Sequence, residues 1–173
     1  MSIDRINIIS ELESKFGDRI TLYNQAVRDN TPTLWLDKTN LQTVLKYLKN
    51  DSPFPYRMLY DLTAIDERTR AKSNGQPQSS FTVVYHLTSF ERNEDLRIKI
   101  PLFESDLHIS SITSIWESAN WYEREVFDMF GIDFTGHPRL TRILMPDSWK
   151  GNPLRKEHCN MRALFCRYLE YAK

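Results

Sequence analysis

The sequence predicts an α+β fold, a two-layer α/β sandwich on a mixed sheet, with a short helix and an extended C-terminal tail after it. Three observations predict it. "FTVVYHLTSF" and "LRIKIPL" flank a short polar turn and alternate strictly, through Phe81, Val83, Tyr85 and Leu87, then Leu96, Ile98, Ile100 and Leu102. That pattern is a β-hairpin with one buried face. Helical periodicity interrupts the strands upstream, and after "NWYEREVFDMFG" periodicity of either kind stops. Helices within a hairpin-rich sheet give two layers.

The elements follow in the order α-β-β-α-β-β-β. Ile6, Ile9, Leu12 and Phe16 have helical spacing, and Gly17 stands where a C-terminal cap belongs. "RITLYNQ" and "TPTLWLD" read as strands, with Asp29, Asn30 and Pro32 marking the bend between them. "KTNLQTVLKYLKN" is helical through Leu41, Val44, Leu45 and Leu48, capped by Asp37 or Thr39. "YRMLYDLTAIDE" is a strand that runs into the polar, mobile-looking loop "ERTRAKSNGQPQSS" ahead of the hairpin. Residues 1–131 then make an α/β domain, and 132–173 an extended partner-binding tail ending in a short helix.

Composition narrows the function classes. The 23 basic residues equal the 23 acidic ones, so no global field draws the chain to nucleic acid or an anionic membrane. No apolar run approaches the roughly 18 residues of a bilayer span. The N-terminus lacks the basic start and apolar middle of a cleavable signal and is too acidic for a mitochondrial transit peptide, so the expectation is a soluble chain retained where it is made. Cys159 and Cys166 read as free thiols on a terminal helix. Two cysteines are too few for an iron–sulfur cluster held by this chain alone. No P-loop, G-x-G-x-x-G or G-x-S-x-G occurs.

The charged-aromatic helix is the candidate site. Asn120 is placed to cap it, with Glu123 completing a capping box and Gly131 ending it. Tyr122, Val126, Met129 and Phe130 face a core; Trp121, Arg124, Glu125 and Asp128 share the other side, and Arg124–Asp128 is an i,i+4 pair. Glu123 and Glu125 point too far apart for a glycosidase pair. A metal-dependent hydrolase using Glu125, Asp128 and His137 is the alternative, but oxygen-rich metal sites recruit more carboxylates. The segment from His137 to His158 is irregular, basic and apolar, with Arg139, Arg142, Lys150, Arg155, Lys156 and Trp149. Too apolar for a disordered tail, it must lie along its own domain or another protein. Trp, Tyr, Phe, Met and Arg are interface residues, so recognition outranks catalysis. RNA binding through strand aromatics such as Tyr85 lacks both the charge and the signature.

"ANWYEREVFDMFGIDFTGHPRLTRILMP" followed by "WKGNPLRKE" resembles the signature of the C subunit, or 30-kilodalton subunit, of proton-pumping NADH:quinone oxidoreductase, respiratory complex I. The matching positions are Trp121, Glu123, Arg124, Glu125, Asp128, Phe130, Gly131, His137, Pro138, Arg139, Arg142, Trp149, Pro153, Leu154, Arg155 and Lys156. "LYDLTAIDE" and "DLHISSITSIW" add to the likeness, which covers about residues 30–158; "AIDERTR" and the loop after it look like the type fused to the D subunit. Thr141, Ser118 and the ending after Lys156 depart from the pattern. The resemblance implies a peripheral-arm subunit that helps assemble the quinone-reducing module. It implies no catalytic residue, cofactor or metal in this chain, with FMN and iron–sulfur clusters in partners. It implies contact with the D (49-kilodalton type) subunit and cluster-bearing neighbours. The location implied is the cytoplasmic side of the bacterial inner membrane, or the matrix side of the mitochondrial one, with membrane association only through the complex. On this reading Arg124, Glu125 and Asp128 pair at the foot of the tail, and Arg139, Arg142, Arg155 and Lys156 pin the tail along the partner.

Overall fold

A computed structural model describes residues 7–17, 23–24, 31–70 and 76–158. Asp29, Asn30, most of the polar loop's middle, the two cysteines and the terminal helix expected near them lie outside the described residues. Helix α1 (Ile8–Phe16) starts where the Asn7 side chain accepts a bond from the Ile9 amide, 3.0 Å long. It ends at Gly17, whose φ of 53° is the left-handed conformation that glycine adopts without a Cβ clash. Ile8 and Leu12 bury into the core, with Ile9 and Phe16 packed at its margin.

Among the described residues the main sheet has five strands in the order β1-β2-β5-β4-β3. They are β1 (Tyr23–Asn24), β2 (Thr33–Trp35), β3 (Met58–Asp66), β4 (Phe81–Ser89) and β5 (Glu94–Leu102). Only the β2–β5 pairing is parallel, so the sheet is mixed as the sequence predicts. The alternating residues of β4 and β5 all face the core, meeting Leu41, Val44, Leu45 and Leu48. Those four belong to helix α2 (Leu41–Lys46) and the π-type turn that extends it. Asp37, not Thr39, caps the short 3-10 turn leading in, accepting from the Thr39 amide.

Two further strands leave no periodic trace in the sequence. Strands β6 (His108–Ser110) and β7 (Asp133–Thr135) pair in parallel as a second small sheet, joined through helix α3 (Ala119–Phe130). Three residues carry a single alternation, too short for periodicity to register. They bury Ile109 and Phe134, so the chain just beyond Gly131 is still part of the core. Helix α3 packs along β3, and Trp116 Nε1 and the Tyr122 hydroxyl donate to the carbonyls of Arg57 and Tyr60 at 3.0 and 2.8 Å.

The helical layer is tied to the hairpin by a buried ion pair. Glu11 of α1 pairs with Arg92 in the β4–β5 turn, and also accepts from the Ser52 and Tyr47 hydroxyls at 2.6 and 3.1 Å. Removing one member of such a pair leaves a buried charge without its counterion. Glu11→Ala is therefore expected to cost about 3–5 kcal/mol, read as a lower denaturant midpoint. A loss below about 1 kcal/mol, the range of exposed pairs, would contradict this placement.

Candidate functional site

Helix α3 and the tail behind it meet at Asp128. Its carboxylate is buried, and both oxygens are engaged. Oδ1 accepts from Arg142 Nη1 at 2.6 Å. Oδ2 accepts from three successive main-chain amides, Ile143, Leu144 and Met145, at 3.1, 2.9 and 2.8 Å. Consecutive N–H groups converging on one anion form a nest, here closed on a side chain of the same protein. Burial opposes ionisation of Asp128. The Met145, Leu144 and Ile143 amides, and then Arg142, outweigh it and hold the carboxyl below its usual range.

The expected Arg124–Asp128 pair does not form. Arg124 turns to the tail instead, donating to the carbonyls of Thr141 and Arg142, both at 3.1 Å, with its guanidinium 5.3 Å from the Trp121 ring centre. A helix leaves its last four carbonyls without partners inside the helix, and here all four find one. Asn152 donates to Phe127 and Asp128 at 3.3 and 3.1 Å, the Leu154 amide to Met129 at 3.0 Å, and Arg155 Nε to Phe130 at 2.7 Å. Gly131 adopts a φ of 72°, and a Cβ there would lie 2.6 Å from Asn152 Oδ1. Glycine is thus required twice, for the turn and for the approach of the tail.

The far end of the tail is held at the end of β3. The Lys156 amide donates to Asp66 Oδ2 at 2.9 Å, and Arg68 clasps both Asp66 oxygens at 3.0 and 2.6 Å. Arg68 also reaches Glu104 and Glu157, and it and Arg155 lie 4.8 and 5.2 Å from the Phe81 ring centre. Burial raises the Asp66 pKa, but Arg68 and the Lys156 and Arg68 amides bring it down to about 2. The residues expected to pin the tail to a partner thus hold it to its own domain: Arg142 and Arg155 by their guanidinium groups, Lys156 by its main chain. Arg139 is exposed and joins none of this, and Glu125 faces solvent instead of pairing at the tail's foot.

Glu123 is not a capping-box residue, because α3 begins at Ala119 and the N-cap position falls to Ser118, whose side chain makes no capping bond. Its carboxyl is buried and accepts from the Ser111 hydroxyl and the Ile112 amide, each at 2.7 Å. Burial raises its pKa to about 7 against those two donors. The Tyr85 hydroxyl, buried and without a hydrogen-bond partner, is pushed well above its ordinary range by burial and then by the Glu123 charge. The Glu125–Asp128–His137 metal set is not assembled. Asp128 is saturated, and His137 accepts the Arg139 amide at Nδ1, so its Nε2 carries the proton and donates to the Asn120 carbonyl. Among the described residues no three His, Cys, Asp or Glu side chains are placed to hold a metal.

Residues 34–162, which contain every contact just described on α3 and the tail, match the family of the respiratory-chain NADH dehydrogenase 30 Kd subunit. The chain belongs to this family. It is 55% identical over 151 residues to the C/D-type NADH-quinone oxidoreductase subunit of Psychrobacter arcticus, covering 87% of this chain and 25% of that protein. The C/D-type subunit of Acinetobacter baylyi is 50% identical over 163 residues, covering 94% and 27%. This 30 Kd family member therefore spans about a quarter of the length of these relatives. A trypsin-resistant Nqo5 fragment superposes with a TM-score of 0.63 at 25% identity, over 77% of this chain and 96% of the fragment. A chain of the membrane-bound sulfane sulfur reductase, an archaeal respiratory membrane complex, shares the fold at a TM-score of 0.71 and 19% identity, over 93% and 89%. No described helix of the 30 Kd family chain is long and apolar enough to cross a membrane.

Sequence reasoning missed Asp66, Arg68, Ser111 and Asn152. Only Asp66 left a trace, as an acid closing an apolar strand with Arg68 two residues on. Of the signature, Phe130 is buried, Trp149 and Pro153 are half-buried, and Pro138 and Leu154 are exposed. Asp128→Asn is expected to cost about 3–5 kcal/mol and to open residues 139–150 to limited proteolysis; an unchanged cleavage pattern would contradict the nest. Glu123 gives the opposite pH signature to the two depressed acids. Its folded pKa lies above the ordinary 4.5, so its contribution is complete below that pH and is lost as pH rises to about 7. That amounts to roughly 3 kcal/mol at 1.4 kcal/mol per unit. Glu123→Gln should abolish this fall, and parallel stability curves for the two proteins would contradict it. Asp66 contributes stability above its ordinary 3.8, lost as pH drops toward about 2.

Proposed function

We propose that this chain is the C-type part of a proton-pumping NADH:quinone oxidoreductase, a docking and assembly element of the peripheral arm near the quinone-reducing module. The observation that carries this reading is its 55% identity, over 87% of its length, to a protein named as a C/D-type NADH-quinone oxidoreductase subunit. The geometry supports it: two acids of the signature, Glu123 and Asp128, are buried and hydrogen-bonded within the chain, where they hold α3 and the tail in shape. Electron transfer from NADH to quinone, coupled to proton translocation, belongs to the assembly. FMN and iron–sulfur clusters reside in partner subunits, and this chain holds none. The D-type moiety and cluster-bearing neighbours are the partners, and the complex brings the chain to the cytoplasmic side of the bacterial inner membrane.

The test is native electrophoresis of gently solubilised host membranes, with detection of this chain and an in-gel NADH oxidation stain. Comigration with a very large NADH-oxidising band containing flavin and iron–sulfur subunits is expected. Migration apart from every such band would overturn the proposal.

A further inference from the structure

The hydrogen bonds around Glu123 continue past the two donors that touch it. Ser111 Oγ, 2.7 Å from Glu123 Oε2, lies 2.9 Å from Thr113 Oγ1, and either hydroxyl can be the donor in that second contact. Ser111 Oγ also accepts from the Thr113 amide at 3.2 Å. Glu123 and Ser111 are buried, Thr113 is half-buried and Ser114 beside it is exposed, so the row of oxygens runs from the core toward the surface. A hydroxyl offers one donor and two acceptor positions. With Glu123 ionised, Ser111 gives its proton to Oε2 and accepts from the Thr113 amide and hydroxyl, which fills all three. With Glu123 neutral, the carboxyl proton cannot sit between Oε1 and the Ile112 amide, because an N–H does not accept. It sits on Oε2 and points at Ser111 Oγ, whose own proton turns to Thr113 Oγ1. All three positions of Ser111 are filled again, and no heavy atom has moved.

We propose that Glu123, Ser111 and Thr113 form a proton-binding site with its own path to solvent. A proton arriving at Thr113 Oγ1 sends the Thr113 hydroxyl proton to Ser111 Oγ, and Ser111 passes its own to Glu123 Oε2. Each hydroxyl gains one proton and loses one, and the carboxylate keeps one. Release runs the same steps in reverse. Tyr85 is the titratable group that faces the site from β4; burial and the Glu123 charge both keep its phenol protonated, so it does not compete. Burial and the two donors set the ionisation of Glu123. The charges of Asp61 and Asp66 on β3, Asp133 on β7, Lys49 in the turn that extends α2, and Arg124 and Asp128 on α3 do not enter. The pKa of about 7 puts the exchange at neutral pH. The site fills and empties while α3 and the turn before it stay in place.

The test follows the side-chain carboxyl carbons of the full chain by NMR as pH is raised through neutrality, with the Glu123 signal identified by its loss in Glu123→Gln. The expected result is a Glu123 carboxyl that titrates across neutral pH while the Ile112 and α3 amides stay protected from hydrogen exchange. Thr113→Val removes a hydroxyl that does not touch Glu123 and keeps the side chain's shape. It leaves the Ser111 proton without an acceptor only when Glu123 is neutral, so the Glu123 midpoint should fall by about one unit, about a tenfold loss of proton affinity. Thr113→Ser should restore the midpoint. An unchanged midpoint in Thr113→Val would overturn the path. Loss of Ile112 and α3 protection in step with the titration would overturn it too, since the proton would then enter by opening the junction. A Glu123 carboxyl that stays ionised down to the ordinary carboxylate range would overturn the site itself.

Discussion

The arrangement of α3 and the tail depends on the Asp128 carboxylate. It sits two residues from the end of α3, where the helix dipole disfavours an anion. It is also removed from water, which disfavours it further. Arg142 and three main-chain amides supply the compensation, and all four come from a segment with no regular structure of its own. The dependence runs both ways. Without the tail the acid would be an unpaired buried charge, and without the acid the tail would have no reason to hold one conformation. The helix terminus adds to the same coupling, because its free carbonyls are capped by Asn152, Leu154 and Arg155 of that tail.

Two buried acids on one helix show how donor chemistry decides ionisation. Asp128 has four donors, one of them a cation, and its pKa falls. Glu123 has two neutral donors and no cation, and its pKa rises to about 7. Burial acts in the same direction on both; the difference lies in what the fold brings to each. Asp128 thus acts as a permanent anion that organises backbone, whereas Glu123 ties α3 to the Ser111–Ile112 turn in a form sensitive to neutral pH.

The sheet and the core face of α3 were legible because burial imposes a period, two for β4 and β5 and 3.6 for Val126, Met129 and Phe130. The polar side of α3 was not. Local spacing pointed to an Arg124–Asp128 pair and a Glu123 capping box, worth tenths of a kcal/mol (~0.2–0.5) for the exposed pair. Donors from Arg142, Ile143 and Ser111, eleven or more residues away, displaced both. Spacing cannot register such partners. The tail itself was half legible: its apolar content said that it lies against something, and its arginines suggested a partner, whereas the nearest acids and carbonyls were those of its own domain. Of the signature residues, Arg124, Asp128, Gly131, Arg142 and Arg155 take part in these contacts with partners that spacing did not indicate, whereas Glu125 and Arg139 are exposed and take no part in them.

In this account the signature region is a self-contained shape, rigid before any partner arrives, and not a flexible strap waiting for one. Backbone amide hydrogen exchange of the isolated chain tests that most directly. Ile143, Leu144 and Met145 should exchange as slowly as the interior amides of α3, although they belong to no helix or strand, and should lose that protection in step with one another. Exchange at these three amides near the rate of an unstructured peptide, with α3 protected, would show that the nest does not exist in solution.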